Sequence, residues 1–427
     1  MAETPSSSSF RMQRVRGTQD IFPSENLSFR KVEATARELS KIYGFGEIQT
    51  PILEFTEVFL RTLGETSDVV QKETYSFLDR GSESLTLRPE GTAGIARAFI
   101  SEGLSQNLPL KFFYSGPMFR HERPQKGRYR QFHQIGVEYL GPSTPQADVE
   151  ILSLAWQLLS TLDLAPELCL EINTLGDTES RNRYKESLVE YYLKYEKDLS
   201  PDSQMRLKKN PLRILDSKNE GDKIINSTAP EYDKHLNDLS KSFFGSVLEG
   251  LALQNIPVKI NPKLVRGLDY YCHTVFEFLT DKLGSQGTVL AGGRYDGLIE
   301  LMGGPPTPGV GWAAGIERLA ELTSTPQQNT TFIYIIPADE IGEKYSSFIA
   351  SLARRKKISA EVLFSGNFGK KMKKASQAQV PFVGILGSTE IANKTVTVKK
   401  MKDGSQQNVS WEDFPSYVFD LFKKEGL

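Results

Sequence analysis

The chain has 427 residues, of which 39% are hydrophobic and 25% are charged, and its 52 Lys and Arg nearly balance its 53 Asp and Glu. These proportions are typical of a globular protein of two or three domains and exclude a disordered chain. With two cysteines and no apolar run of membrane-spanning length, the sequence also excludes a disulfide framework, a cysteine-rich zinc site and a transmembrane segment.

The first ten residues, MAETPSSSSF, have neither a basic start nor an apolar centre. They predict a disordered tail over 1–10 rather than a signal peptide or membrane anchor. Because the few cysteines indicate a reducing compartment, we expect a cytoplasmic protein. The formal net charge of -1 does not by itself indicate a nucleic-acid partner, so such binding must depend on local basic clusters.

Two amphipathic helices are predicted early in the chain. The first runs over 24–43, with Ser24 as the expected N-cap and Gly44 as the stop signal. The second runs over 144–162 and has a polar entry followed by apolar residues at helical spacing.

Between them, a β-hairpin is predicted from Lys111 to about Tyr139. Its second strand has two different faces, because side chains alternate along a strand. The face with Ile135 and Val137 is mostly apolar and would pack against the body of the protein. The opposite face combines an aromatic ring, an amide, a gap and a carboxylate, which suits the floor of a ligand site. It comprises Phe132, Gln134, Gly136 and Glu138.

The predicted turn of this hairpin is strongly basic. Five cations lie between Phe119 and Arg130 against the single acid Glu122, a local charge of +4. Cations gathered at a hairpin tip favour a polyanionic ligand. The alternative is a solvated loop on a half-buried sheet. The five are Arg120, Arg123, Lys126, Arg128 and Arg130.

The rest of the chain is of mixed character. Residues 177–253 are charged and largely helical in pattern, and they are predicted to be an insertion. Strand-rich sequence returns over 258–278 and 288–314, and a polar linker is predicted over 323–331. The final module, 331–427, holds 15 Lys and Arg against 10 Asp and Glu. This excess indicates binding to a phosphate backbone, although charged surface helices without a partner are common.

No metal site and no phosphate-binding loop are predicted. The four histidines lack ligand spacing, so structural roles are expected for them. The glycine-rich segments at 291–294 and 366–371 lack the spacing and context of dinucleotide- and phosphate-binding loops.

Several segments resemble the histidyl-tRNA synthetase family of class II aminoacyl-tRNA synthetases. FRHE at 119–122 is similar to the second class motif and GVGWAAGIERL at 309–319 to the third. Residues 45–59, with Pro51 at the centre, resemble the first, which builds the dimer interface in that class. The histidyl family is indicated by LVRGLDYY at 264–271 and LRPEGT at 87–92.

The resemblance implies an α+β fold. A class II catalytic domain with an antiparallel sheet would cover 11–325, the helical insertion 177–253 would lie within it, and an α/β anticodon-binding domain would cover 331–427. It also implies a homodimer that uses ATP and Mg²⁺ to activate L-histidine as histidyl-adenylate and then transfers the histidyl group to the 3′ end of tRNA(His).

Roles in ATP binding follow from the same resemblance. Arg120 would hold the α-phosphate, Glu122 would read the adenine amino group, and Phe132 would stack on the adenine. Arg128 and Arg318 would clamp the β- and γ-phosphates.

The main catalytic residue implied is Arg266, assisted by Arg120. Its guanidinium would lie against both the histidine carboxylate and the α-phosphate, which suits charge developing between two oxyanions. A plain ion pair with Asp269 is the alternative.

Histidine selection is implied for Glu138 and the adjacent Tyr270 and Tyr271, which would take the two imidazole nitrogens. Because neighbouring strand residues point to opposite faces, only one of these tyrosines is expected to face the pocket directly. Gly292 and Gly293 would keep the pocket floor low. The other histidine-binding residues implied are Glu90, Gly91, Thr92, Arg120, Gln134 and Arg266.

For tRNA, the resemblance implies that Gln125 and Lys126 contact the acceptor end and that the insertion arches over the acceptor arm. A rival hypothesis is a non-catalytic relative, either a partner subunit of a histidine-biosynthetic phosphoribosyltransferase or a sensor of uncharged tRNA. The intact arginine-rich stretches and the basic C-terminal module favour the enzyme.

Overall fold

The computed structural model describes residues 12–63, 73–123, 127–266, 270–324 and 332–424, apart from the side chains of 285 and 286. The chain divides into two compact units, 1–326 and 327–427, each with its own hydrophobic core. This division falls inside the linker that the sequence predicts.

The first unit is built on an eight-stranded sheet that is mostly antiparallel. Its strand order is β1-β5-β6-β11-β10-β9-β7-β8, and only the two edge pairs, β1 with β5 and β7 with β8, are parallel. The strands are β1 Gly46–Glu47, β5 Leu110–Phe119, β6 Gln131–Leu140, β7 Cys169–Thr174, β8 Lys259–Ile260, β9 Cys272–Leu279, β10 Thr288–Arg294 and β11 Gly309–Gly315.

Helices cover one face of this sheet. Apolar residues of four helices pack there against the inward-facing residues of β6, β9, β10 and β11, such as Val137 and Phe276, both fully buried. Burial of such side chains contributes about 1.5–3 kcal/mol each. The four helices are α1 Pro23–Ile42, α4 Pro145–Thr161, α8 Asp238–Leu253 and α10 Ile316–Leu322. The opposite face is left for the candidate site.

The first helix begins earlier than the sequence predicts. Its N-cap is Phe22 rather than Ser24, and Pro23 takes the first helical position. Proline suits that position because its missing N–H has no partner there in any helix. Glu25 completes the cap by accepting a hydrogen bond from the backbone N–H of Phe22 at 3.3 Å. The end of the helix agrees with the sequence, since Gly44 follows with a φ of +81°.

A separate three-stranded sheet is formed by β2 Leu53–Phe55, β3 Tyr75–Leu78 and β4 Ser84–Leu87, in the order β2-β4-β3. Its polar face is the buried one: Glu54 and Thr86 are opposite each other, and Glu54 bonds Arg97 at 2.6 Å. Its apolar face reaches solvent, where Phe55 and Phe77 are 56% and 46% exposed. Next to it lie α2 Thr56–Leu63 and α3 Thr92–Ser101.

The region 177–253 is helical, as predicted. Its helices are α5 Thr178–Leu193, α6 Pro201–Lys209, α7 Glu220–Ser227 and α8. Buried Asp222 ties the middle of the region together by accepting hydrogen bonds from Ser200, Ser203 and Ser217. The last helix, α8, joins the main core through Val247 and Leu251, so the bounds of the insertion stay a prediction. A short helix, α9 Leu298–Leu301, follows β10.

The second unit has a five-stranded sheet of order β13-β12-β14-β15-β16, parallel over the first three strands and antiparallel over the last three. Its strands are β12 Ile333–Pro337, β13 Ala360–Val362, β14 Phe382–Leu386, β15 Thr395–Lys400 and β16 Gln406–Ser410. Its helices are α11 Glu340–Arg355, α12 Phe368–Gln377, α13 Ser388–Asn393 and α14 Phe414–Lys424. In neither unit does a described helix have the length and apolarity needed to cross a bilayer.

Candidate active site

A cavity of about 330 Å³ lies on the free face of the eight-stranded sheet. This volume lies within the range of small-molecule sites. Side chains from β6, β9, β10, β11 and the start of α10 form its walls. Twelve of its residues are among those that the sequence assigns to the site: Glu90, Thr92, Arg120, Glu122, Arg128, Phe132, Gln134, Glu138, Arg266, Tyr270, Tyr271 and Arg318.

The two faces predicted for β6 are those observed. Ile135 and Val137 are fully buried in the core beneath the helices, whereas Phe132, Gln134 and Glu138 line the cavity. The ring of Tyr114, on the neighbouring strand β5, fills the gap at Gly136. Any side chain at position 136 would meet this ring. Alternation along one strand therefore builds both the core and the cavity floor.

Glu138 is a buried carboxylate held by two hydroxyl groups. Thr92 donates to it at 2.6 Å and the hydroxyl of Tyr295 donates to its other oxygen. Burial raises the pKa of Glu138 to about 8, although these two hydrogen bonds act in the opposite direction. Its partner across the sheet is Gly311, and a side chain at Gly311 would meet the Glu138 carboxylate.

Glu90 lies beside Glu138 and closes the same end of the cavity. Its carboxylate accepts from the backbone N–H groups of Thr92 and Ala93, both at 2.7 Å, at the N-terminus of α3. Burial raises the pKa of Glu90 despite these bonds. Gly91 lies against Tyr114 and does not itself line the cavity.

Both tyrosines of the pair Tyr270 and Tyr271 line the cavity, so the expectation that only one could do so is wrong. The reason is that β9 begins at Cys272, and the pair precedes the strand, where strict alternation does not apply. Their ring centroids lie 4.6 Å apart, and burial raises the pKa of both. They remain neutral hydroxyl groups that can donate or accept.

Arg266 lies in the same wall as Tyr271, with its guanidinium 5.8 Å from that ring. It pairs with Glu277 of β9; its predicted alternative partner, Asp269, lies outside the described residues. Burial opposes the charge, but Glu277 and the two tyrosines outweigh it and raise the pKa of Arg266. Its Nε is buried and has no hydrogen-bond partner among the described residues. One donor of a fixed cation is thus left available.

The other end of the cavity is cationic. Three arginines gather around the buried carboxylate of Glu122, which forms an ion pair with Arg128 and lies 3.9 Å from Arg120. Arg318 is held by the carbonyl oxygens of Gly127 and Thr288, at 3.2 and 2.6 Å. Burial and the like charge of Arg128 lower the pKa of Arg318. Arg120 also lies over the ring of Phe132, at 5.3 Å.

Sequence reasoning missed other residues that line the site, among them Tyr295, Glu277, Thr288 and Gly311. Gly292 and Gly293 do not themselves line the cavity, although a side chain at Gly293 would meet the ring of Tyr271, which does. Gly311 could have been found from its place in the third class motif. Tyr295 could not, because only the folded structure shows that it lies next to Glu138. Of the predicted residues, Gln125 and Lys126 lie outside the described residues.

The histidines have the structural roles that the sequence predicts. His133 contacts Glu317 at 2.9 Å and packs against Phe29. His121, His235 and His273 pack against aromatic rings. Among the residues described, no group of three His, Cys, Asp or Glu could hold a metal ion.

The cavity thus has a polar end with two buried carboxylates and three tyrosines, a cationic end, and Arg266 beside the tyrosines. Such an arrangement can bind a small polar cation or zwitterion next to a polyphosphate. It provides fixed positive charge rather than an obvious nucleophile, which suits phosphoryl chemistry.

Comparisons with known proteins agree with this chemistry. A family model described as histidyl-tRNA synthetase matches residues 17–176 and 200–319, and one described as an anticodon-binding domain matches 333–421. The histidine–tRNA ligase of Rhodospirillum rubrum is 53% identical, over 93% of this chain and 96% of that protein. That of Gluconacetobacter diazotrophicus is 46% identical, over 96% and 99%. The crystal structure of apo histidyl-tRNA synthetase from S. aureus has a TM-score of 0.80 at 33% identity, covering 96% and 100% of the two chains.

Proposed function

The chain belongs to the histidyl-tRNA synthetase family and is a class II histidine–tRNA ligase, and we propose that both steps of its reaction take place in the cavity on the eight-stranded sheet. In the first step, a carboxylate oxygen of histidine attacks the α-phosphorus of ATP and pyrophosphate leaves. In the second, a ribose hydroxyl of the tRNA 3′ end attacks the histidyl carbonyl carbon, and AMP leaves.

Arg266 and Arg120 are the proposed catalytic residues. Arg266 combines a fixed guanidinium with a buried, unsatisfied Nε, and this single observation carries the proposal. A guanidinium in this position neutralises charge on both the attacking carboxylate and the α-phosphate. Arg120 would hold another α-phosphate oxygen, since the carbonyl of Pro89 fixes its Nε at 2.9 Å.

ATP would lie across the cationic end of the cavity. Phe132 would stack on the adenine, and Glu122 would accept from its amino group. Arg128 and Arg318 would hold the β- and γ-phosphates, and the pKa of Arg318 is lowered by burial and, in addition, by the like charge of Arg128. A polyphosphate between them would relieve that repulsion.

Histidine would lie at the polar end, with its imidazole between Glu138 and the pair Tyr270 and Tyr271. A site lined by buried polar groups rejects an apolar analogue, because those groups would lose their partners. Glu90, Thr92 and Gln134 would hold the α-amino group, with Gly91 supporting Thr92.

Mg²⁺ would accompany ATP. The fit to the site is chemical: the cation prefers oxygen ligands, and the carboxylate of Glu277 lines the cavity. Because no cluster of three potential ligands occurs in the described residues, the ATP phosphates would supply most of the coordination. When bound, the ion would neutralise phosphate charge.

For tRNA(His), the C-terminal domain would bind the anticodon arm, and Gln125 and Lys126 would touch the acceptor end. The family match at 333–421 and the excess of basic residues over 331–427 support this assignment. We also place the enzyme in the cytoplasm, in keeping with its two free cysteines.

A homodimer is proposed through the exposed apolar face of the three-stranded sheet. Strand register puts Leu53, Leu87 and Tyr75 in one row, and Phe55, Leu85 and Phe77 in the next, all on that face. A soluble protein rarely exposes so contiguous an apolar surface without a partner. A second copy of the same face would cover it.

The test of the function is histidine-dependent exchange of labelled pyrophosphate into ATP, followed by aminoacylation of tRNA(His). We expect both activities with Mg²⁺ present. Purified, folded protein that binds histidine or tRNA without any exchange would instead support a non-catalytic relative.

A further inference from the structure

A second, smaller cavity of about 150 Å³ adjoins the active site and is strongly cationic. Of the ten described residues that line it, five are Lys or Arg and none is Asp or Glu. They are Arg181, Lys185, Lys209, Arg213 and Arg266. A cleft lined by one sign of charge concentrates ligands of the opposite sign.

Three parts of the chain build this cavity. Helix α5 provides Arg181 and Lys185, which are four residues apart and therefore share a helix face. The end of α6 and the turn after it provide Lys209 and Arg213. The segment before β9 provides Arg266, so the insertion and the catalytic core meet here.

The two cavities have a common wall. Arg266 and Tyr271 line both of them. Arg181 is fixed to this wall, because its Nη1 donates to the backbone carbonyl of Tyr271 at 3.0 Å. An anion in the second cavity would therefore lie directly beside the histidine end of the active site.

A buried donor indicates that the cavity is built for a ligand. The Nε atom of Arg181, which lines this cavity and not the active site, is buried and has no hydrogen-bond partner among the residues described. An unsatisfied buried donor is unfavourable and uncommon in native proteins. Oxygen atoms of a phosphate group would satisfy such donors and neutralise part of the charge.

We propose that this second cavity binds the phosphodiester that precedes the terminal adenosine of the tRNA and so positions that adenosine for histidyl transfer. The proposal rests on the proposed function. The hydroxyl of the terminal ribose must reach the histidyl carbonyl, so the adjoining phosphodiester must lie within one nucleotide of it. The second cavity is a cationic site that shares Arg266 and Tyr271 with the histidine side of the active site.

Pyrophosphate is the other anion of the reaction, and the geometry disfavours it. Arg128 and Arg318 are the proposed β- and γ-phosphate ligands, and neither lines the second cavity. They lie at the hairpin end, next to Glu122 and Gly127. The second cavity instead shares Arg266 and Tyr271 with the histidine end of the active site.

The test uses the full-length double variant Lys185→Ala/Lys209→Ala, which removes two charges and leaves Arg181 and Arg266 in place. We expect pyrophosphate exchange within about twofold of the wild type. Single-turnover transfer from preformed histidyl-adenylate to tRNA(His) should be slower by about tenfold or more, as expected for lost charge-assisted hydrogen bonds. Replacing both lysines with arginine should restore transfer.

The matched control is Lys223→Ala/Lys234→Ala, the same loss of charge at exposed lysines of the insertion that do not line the cavity. It should transfer at the wild-type rate. If both double variants slow transfer equally, the effect is general attraction for tRNA, and the site is refuted.

The ligand itself is tested with tRNA(His) that carries a neutral methylphosphonate at the last internucleotide linkage. Wild-type transfer should fall about tenfold, and the double variant should lose little more, because both changes remove one interaction. Full additivity, or a loss of exchange as large as the loss of transfer, would refute the proposal. Absence of exchange in the wild type would refute the proposed function instead.

Discussion

Arg266 concentrates several functions in one guanidinium. It pairs with Glu277, lies by the ring of Tyr271 and keeps a buried donor unsatisfied. We expect Arg266→Ala to retain ATP binding and to lose about 10²- to 10³-fold in the rate of adenylation, the usual cost of removing a preorganised donor. Pyrophosphate exchange and equilibrium ATP binding measure the two effects.

The matched control is Glu277→Gln, which removes the same ion pair but keeps the guanidinium. It should lose much less activity than Arg266→Ala. Comparable losses, with both variants folded by circular dichroism, would mean that Arg266 only stabilises the structure.

The raised pKa of Glu138 predicts that the stability of the folded protein depends on pH. Its pKa is raised to about 8 in the native state from an ordinary value of 4.5, so between these values the native state holds a proton that the unfolded state lacks. Stability therefore falls as pH rises through this window, by about 1.4 kcal/mol for each pH unit at most. Glu138→Gln removes this titration.

The measurement is the difference in Tm between Glu138→Gln and the wild type from pH 5 to pH 9. The difference should shift in favour of the variant by a few °C or more as the pH rises, and level off above pH 8. Parallel Tm profiles would contradict the raised pKa. Thr92→Ser, which retains the hydroxyl donor, should follow the wild type.

For single residues, the sequence predicted correctly which way a side chain points where alternation along one strand determines it. Alternation along β6 correctly separated Ile135 and Val137 from Phe132 and Glu138. The same rule was wrong for Tyr270 and Tyr271, because they precede the strand. Tyr295 could not be found, since its bond to Glu138 joins residues 157 positions apart in the chain.

Among the elements, the three-stranded sheet is unusual because its apolar face is exposed and its polar face is buried. The row formed by Phe55, Leu85 and Phe77 lies on the exposed side. We expect Phe55→Glu to shift the protein from a dimer to a monomer, because a buried unpaired charge at an interface is strongly unfavourable. Sedimentation should then report one chain of 47.9 kDa rather than two.

The control for this variant is Leu253→Glu, an equally drastic change at a 79% exposed position at the end of α8. It should leave the dimer intact. If the wild type itself sediments as a monomer at micromolar concentration, the proposed interface is wrong.

Whether a segment forms a helix or a strand was predictable where its pattern of apolar and polar residues is distinctive. The helix pattern over 144–162 corresponds to α4. The start of α1 was misplaced because Pro23 favours the first helical position more than Ser24 favours the cap. The inverted sheet could not be foreseen, since its faces depend on which side the rest of the molecule covers.

For the whole molecule, the two units predict separable functions. Each has its own hydrophobic core, and the basic excess lies in the C-terminal one. A chain ending at Pro326 should therefore keep pyrophosphate exchange within a few fold. Its kcat/KM for tRNA(His) should fall by about 10²-fold, because the phosphate contacts of the second unit are lost.

Aminoacylation assays at two salt concentrations check this prediction. The truncated enzyme should also depend less on salt than the full chain, because fewer phosphates are neutralised. Unchanged tRNA kinetics would remove the second unit from tRNA binding, and loss of exchange would mean that the units fold as one.

The boundary between the units was predictable from the polar linker, and the basic character of the C-terminal unit from counting charges. The bounds of the insertion were not, because α8 lies within 177–253 yet packs into the main core of the first unit. The second cavity also required the fold, since its cations come from segments about 80 residues apart in the chain.

Glu138 is paired with Gly311 across β6 and β11, so the proposed selection of histidine depends on the correct register of these two strands. Glu138 lines the cavity only in this register, and only glycine opposite it leaves room for the carboxylate. A slip of one residue would turn Glu138 into the apolar core and expose Val137 instead. A misfolded strand would therefore give an unstable, inactive protein, not an enzyme that attaches the wrong amino acid to tRNA.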